Sequence, residues 1–126
     1  MVNRYLVVVP TYDEAGNIID FLTQLDSARK ALSAKYTIDI LLVDDESPDG
    51  TLAKARSLGL INFHWLSNPV KGGLGHAYIQ GFIWGLSRGY DYFIEMDADL
   101  SHDPGELINL LAVSYTHLTL PTIYSV

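Results

Sequence analysis

Apolar residues fall along this chain in short unbroken runs separated by stretches with helical spacing, and that alternation predicts strand, helix, strand, helix through most of its length. Tyr5 to Val9 is a continuous apolar run of the kind covered on both faces of a sheet, with Pro10 expected to end it. Ile18, Leu22 and Leu25 then mark one face of a helix, Leu32 continues the stripe, and Asp20, Gln24 and Lys30 are left to solvent. Ile38 to Val43 predicts a second buried strand, Leu52 to Leu58 a short helix stopped by Gly59, and Ile61 to Leu66 a third strand. A helix from about His76 to Arg88 follows, with Gly89 just past its end, and Tyr92 to Met96 predicts the fourth strand. Asp103-Pro104-Gly105-Glu106 has an acceptor at the N-cap, proline at the first helical position and glutamate three residues on, the arrangement of a capping box that starts another helix.

Strands alternating with helices imply an α/β fold, a mostly parallel sheet with helices on both faces and right-handed crossovers. Ligands of such sheets bind beyond the carboxyl ends of the strands. That rule selects Pro10 to Glu14, Asp44-Asp45-Glu46, the glycine-rich segment after Leu66, and Asp97 to His102.

Composition narrows the partners. The chain has 126 residues, 48% of them hydrophobic, which suits one globular domain or a piece of one. Fifteen acidic residues against eight basic ones give a formal charge of −7, with no basic cluster beyond Arg29-Lys30, so nucleic acid is not an expected partner. There is no cysteine, hence no disulfide framework and no thiolate metal site, and no apolar stretch reads as a membrane span or signal peptide. A cytoplasmic setting is expected.

The candidate chemistry centres on Asp97-Ala98-Asp99, at the end of the fourth apolar run. Residues two apart on a strand face one side, so both carboxylates can converge on Mg²⁺ or Mn²⁺ while Ala98 points away, and a diphosphate would complete the coordination. The alternative is a solvated turn. Adjacent Asp44 and Asp45 repel unless a cation, a donor or solvent relieves them. Gly72, Gly73 and Gly75 would let backbone approach a phosphate or sugar closely, and Lys71 would offer a charge, although glycines before a helix also serve turn geometry. Asp49 and Thr51 read as turn and N-cap, Trp65 and Trp84 as core or interface aromatics, and His76 and His102 as structural or surface histidines, His102 remaining a candidate beside the acidic pair.

Four motifs taken together resemble those of the inverting glycosyltransferases of family 2, most closely the polyprenyl-phosphate branch that includes the dolichol-phosphate mannosyltransferases. They are Val7-Val8-Val9-Pro10-Thr11-Tyr12-Asp13-Glu14, Val43-Asp44-Asp45-Glu46-Ser47-Pro48-Asp49-Gly50-Thr51, Lys71-Gly72-Gly73-Leu74-Gly75-His76-Ala77-Tyr78, and Met96-Asp97-Ala98-Asp99-Leu100-Ser101-His102-Asp103-Pro104. The resemblance implies the N-terminal nucleotide-binding half of a Rossmann-like GT-A domain over residues 1–112. It gives Pro10, Tyr12 and Glu14 to the nucleotide base, Asp44 to the nucleoside, and Asp45, Lys71, Gly73 and Ala98 to the same nucleotide-sugar site. Glu14 would serve equally as the acid at a helix start. Asp97 and Asp99 become the catalytic and metal-binding residues, with Ser101 at a metal position often held by glutamine in this family; a hydroxyl is a poorer ligand than an amide carbonyl.

The reaction implied is metal-dependent transfer of a hexose, mannose favoured, from a nucleotide diphosphate sugar, GDP-mannose favoured, to a polyprenyl or dolichyl phosphate. The lipid acceptor would bring the parent protein to the cytoplasmic face of a membrane. The family's acceptor-side basic residues fall further along than this sequence runs, so a nucleotide-sugar-binding fragment without turnover is a second reading. Residues 113–126 carry no charge and no family motif, and Val113 to Thr122 resembles a reading frame of a sequencing-library adaptor; a non-native or unstructured tail is expected, the alternative being an edge strand at Leu118 to Leu120. A phosphoacceptor receiver domain fits the length but places its acidic pair after the first strand, whereas Asp44-Asp45 follows the second.

Overall fold

The computed structural model describes residues 3–68, 73–101, 103–107, 109, 111 and 122–125, with 73, 74 and 122–125 described by their backbone alone. Its elements are β1 (Arg4–Thr11), α1 (Ile18–Ala31), β2 (Thr37–Asp44), α2 (Thr51–Ser57), β3 (Phe63–Ser67), α3 (Gly73–Leu86), β4 (Tyr92–Glu95), a 3-10 turn (Pro104–Glu106) and β5 (Thr122–Ser125). The strands form one parallel sheet in the order β3-β2-β1-β4-β5.

Alternation along each strand feeds two cores. Tyr5, Val7 and Val9 of β1, with Ile38, Ile40 and Leu42 of β2, pack beneath Ile18, Phe21, Leu22 and Leu25 of α1. Leu6, Val8, Leu41 and Val43 face the other way, against Ala77, Phe82 and Trp84 of α3. Thus α1 and α2 cover one face and α3 the other. The chain walks outward from β1 to β3, then returns on the opposite face to place β4 on the other side of β1. With right-handed crossovers that reversal requires the change of face, and it opens a crevice between the carboxyl ends of β1 and β4.

Pro10 does not end β1, which pairs with β2 through Pro10↔Val43 and Thr11↔Asp44. The reason lies in strand geometry. The Thr11 carbonyl accepts from Asp45 N on the β2 side and the Val8 carbonyl from Met96 N on the β4 side, so the nitrogen of Pro10 also faces β4. Pairing with β4 has stopped at Val8↔Glu95, so no partner there asks for the missing N–H.

Two further differences bear on the site. β4 ends at Glu95, so Asp97-Ala98-Asp99 lies in the bend beyond the strand rather than on it, and the alternation rule does not orient the pair. At the other end, Thr122–Ser125 forms a parallel edge strand on β4, within the tail expected to be non-native or unstructured; Leu118 to Leu120 lie outside the described residues. β-branched and aromatic residues suit that position, and their pairing covers an edge of β4. The capping box is half realised. Asp103 accepts from Gly105 N at 2.8 Å, but Glu106 accepts from the side chain of Asn109 instead of closing the box.

Candidate active site

The carboxyl ends of β1, β2 and β4 border a cleft of about 250 Å³ lined by Pro10, Thr11, Tyr12, Glu14, Asp45, Ala77, Asp97, Ala98 and Asp99. It sits at the crevice where the strand order reverses, the position that such sheets use for ligands.

The loop after β1 is held by the loop after β2. Asp44 is buried, and its carboxylate accepts from the Thr11 hydroxyl at 2.7 Å, from Ser47 N at 2.9 Å and from the Ser47 hydroxyl at 2.6 Å. Ser47 Oγ in turn accepts from Asp13 N, Thr51 Oγ1 from Glu14 N, and Asp49 from Ala15 N, each at about 3 Å. Asp13 and Glu46 both stand at positive φ, 54° and 51°, as does Leu100 beyond the acidic bend at 63°. Three of the four described non-glycine residues at positive φ thus stand in the loops that border the cleft, the fourth being Asn62 before β3.

Asp45 faces the cleft and accepts from Asn68 Nδ2 at 3.3 Å, while Asn68 N donates to the Asp44 carbonyl at 2.7 Å. The end of β3 thereby braces both aspartates. Glu14 reaches the cleft and accepts from Asn17 Nδ2, and Tyr12 lines it as a residue 39% exposed. On the opposite side Asp97 accepts from the Tyr78 hydroxyl at 2.8 Å, and Asp99 accepts from both the N–H and the hydroxyl of Ser101. Burial, then the hydrogen bond and charge of Asp97 with Glu95 and Asp99 nearby, hold the Tyr78 phenol well above its ordinary pKa, so it remains a donor.

The sequence of elements, the crevice and its lining converge with a match to the family model described as Glycosyl transferase family 2, which spans residues 6–124. The chain belongs to glycosyltransferase family 2. Among relatives of this family 2 chain, the undecaprenyl-phosphate mannosyltransferase of Micrococcus luteus is 46% identical over 110 residues, covering 86% of this chain and 43% of the relative. The polyprenol monophosphomannose synthase of Mycolicibacterium smegmatis is 45% identical over 86% of this chain and 40% of its own. The dolichol-phosphate mannosyltransferase of Pyrococcus furiosus is 35% identical over 83% of this chain and 28% of its own. The family 2 chain therefore spans less than half the length of these relatives.

Within this family 2 site the structure brings together Pro10, Tyr12, Glu14, Asp45, Asp97, Ala98 and Asp99. Asp44 does not line the cleft; its oxygens are taken by the loops it joins. Ala98 is buried against the first core and forms part of the cleft wall. Ser101 is engaged with Asp99, and Asp49 and Thr51 tether the β1–α1 loop; the N-cap of α2 is Gly50, without a side-chain cap, and Thr51 is its first helical residue. Gly73 begins α3, while Lys71, Gly72 and His102 lie outside the described residues. His76 pairs with Gln80, Trp65 is half-exposed on β3 beneath Arg56, and Trp84 packs on the second core. Sequence reasoning missed Thr11, Ser47, Asn68 and Tyr78 as parts of the site. Thr11 and Ser47 stand inside the first and second motifs, and Tyr78 is the last residue of the third, but no spacing rule says which acid each would meet.

Proposed function

We propose that this chain forms the donor side of a metal-dependent inverting glycosyltransferase that moves mannose from GDP-mannose to a polyprenyl phosphate. The observation that carries the reading is the lining of the cleft. Its described residues include four carboxylates, Glu14, Asp45, Asp97 and Asp99, and no Lys or Arg. A diphosphate entering such a site needs a cation with it, since unscreened like charges at this range repel strongly. Among the described residues no three His, Cys, Asp or Glu gather into a metal site of their own, but the chemistry of Asp97, Asp99 and the Ser101 hydroxyl suits a hard cation that arrives with its substrate, since Mg²⁺ or Mn²⁺ commonly takes one or two carboxylates together with substrate phosphates.

Tyr12 and Glu14 on the β1 side take the base, the ring by stacking and the carboxylate by accepting base N–H groups. Asp45 takes the ribose side, and Asp97 with Asp99 the diphosphate end. When bound there, the cation supplies Lewis-acid stabilisation of the departing nucleoside diphosphate. The residues around it act earlier, by holding the carboxylates where charge grows and by fixing the base so that the anomeric carbon meets its acceptor from the far side. An acceptor phosphate is already anionic, so the chemistry does not require a general base.

The polyprenyl acceptor and the mannosyl donor are supported by the relatives, an undecaprenyl-phosphate mannosyltransferase and a polyprenol monophosphomannose synthase by name, and the membrane surface enters through the lipid. No described helix is long and apolar enough to cross a membrane. Calorimetric titration of GDP-mannose and UDP-glucose, each with Mn²⁺ and with EDTA, tests the reading. It expects Mn²⁺-dependent heat with GDP-mannose that disappears in Asp99→Ala. Equal binding in EDTA, or none to the folded chain, would contradict it.

A further inference from the structure

A side chain from outside the strand-end loops supports the acidic bend. Tyr78, early in α3, reaches Asp97 Oδ1 through its hydroxyl at 2.8 Å across 19 residues of sequence. The ring is seated by stacking on Phe82, which lies edge-on to Phe93 of β4. α3 itself is pressed against the sheet where Gly81 meets Val8 and Gly85 meets Phe93. The position of the Tyr78 oxygen is therefore set by helix-to-sheet packing and not by the loop that carries Asp97.

That matters because Asp97 lies beyond the last paired residue of β4, where no ladder fixes its backbone in the way it fixes Glu95. Asp99 has local support, two donors from Ser101 on one oxygen. For Asp97 the comparable donor comes from α3. Carboxylates that bind metal ions are commonly oriented by such outer donors, and loss of one typically costs about 10–100-fold in metal affinity. A phenylalanine at position 78 would fill the same space and make the same ring contacts, so packing alone gives no reason for the hydroxyl.

We infer that Tyr78 is a positioning residue, whose O–H orients the Asp97 carboxylate for the cation of the donor complex and couples the helix after the glycine-rich segment to the acidic bend. The inference rests on reading Asp97 and Asp99 as a cation site. Its test is titration of Mn²⁺, alone and with GDP, followed by the electron paramagnetic resonance signal of the free ion. The proteins compared are the unmodified chain, Tyr78→Phe, Phe82→Leu and the double variant Asp97→Asn, Asp99→Asn.

Tyr78→Phe should weaken Mn²⁺ by roughly tenfold or more, with the thermal midpoint almost unchanged. Phe82→Leu loosens the seat of the Tyr78 ring but keeps its hydroxyl, and should lower the midpoint while weakening Mn²⁺ less than Tyr78→Phe does. If Tyr78→Phe binds Mn²⁺ as the unmodified chain does while the double variant does not, the inference fails and the cation site stands. If Phe82→Leu weakens Mn²⁺ as much as Tyr78→Phe, the effect is packing and the inference fails again. If the unmodified chain binds no better than the double variant, the cation reading falls and the inference with it.

Discussion

Asp44 accepts three hydrogen bonds from Thr11 and Ser47 in a buried position, whereas Asp45, one residue on, faces the cleft and accepts from the Asn68 side chain at 3.3 Å. The same side chain thus serves as a clamp at one position and a ligand candidate at the next. Asp44→Ala strands three donors and unties the β1 loop, so it should cost about 2–4 kcal/mol of unfolding free energy in urea. Asp45→Asn keeps the shape and should cost below about 1 kcal/mol while weakening nucleotide binding. Equal losses for the two would refute the division of labour. The resemblance gave the nucleoside to Asp44, whereas Asp45 lines the cleft, because adjacent residues point apart and only the fold says which direction holds the cleft.

A second residue-scale prediction concerns Asp26 on α1. Burial alone would raise its pKa, but hydrogen bonds and charges from Lys30 and Arg29 outweigh it and hold the carboxyl below its ordinary value of 3.8. Its folded pKa lies below the unfolded one, so the stabilisation is complete above that ordinary value and is lost as pH falls through the lower folded value. The stability gap between the unmodified chain and Asp26→Asn should therefore be constant near neutrality and shrink on acidification below about pH 4, as read by urea unfolding at several pH values. A gap that widens in acid would contradict the assignment. Arg29, which also donates to the carbonyls of Ile38, Ile61 and Asn62, stood in the sequence only as half of a basic pair.

Among the elements, α3 shows why hydrophobic patterning carries only part of the fold. Its existence was legible from apolar spacing and from Gly89 beyond its end, but not its depth against the sheet. A Cβ added at Gly81 would stand 2.4 Å from Val8 Cγ1, and one at Gly85 2.4 Å from Phe93 Cε1. Alanine in place of a mid-helix glycine ordinarily gains about 1 kcal/mol; here overpacking at about 1–3 kcal/mol should prevail. Gly81→Ala and Gly85→Ala should each lower the urea midpoint, and since α3 carries Tyr78, Gly81→Ala should also weaken Mn²⁺. A raised midpoint would show that the helix stands off further than described. Strand existence was likewise legible from unbroken apolar runs, yet the ends were not: Pro10 continues β1 because its neighbour on that side has stopped, and β4 stops before the aspartates. Both depend on strand order, a property that no single segment carries.

At the scale of the molecule, the order β3-β2-β1-β4-β5 decides where chemistry can occur. Receiver-like doubly wound sheets run 2-1-3-4-5; that order is absent here, which removes the receiver reading on topology as well as on motif order. The reversal between β1 and β4 separates the first and fourth motifs in sequence by more than 80 residues and makes them opposite walls of one cleft. Four clusters at strand ends were visible in the residues; that the second would supply a brace as well as a wall was not, because hydrogen bonds between loops leave no periodicity. A second cleft, bordered by Arg29, Lys30, Tyr36 and Asn62, lies away from these motifs and provides an internal control.

The central claim is that the β1–β4 cleft receives a nucleotide diphosphate sugar with its base toward Tyr12 and its diphosphate toward Asp97 and Asp99. Backbone amide shifts of the isotope-labelled chain, followed by NMR as GDP-mannose and Mg²⁺ are added, test it most directly. The account predicts shifts concentrated at Tyr12, Asp13, Asp45, Asn68 and Ala98 to Ser101, with a metal-dependent subset at the acidic bend. Shifts gathered around Arg29 and Asn62, or a bend indifferent to Mg²⁺ while nucleotide binds, would contradict it.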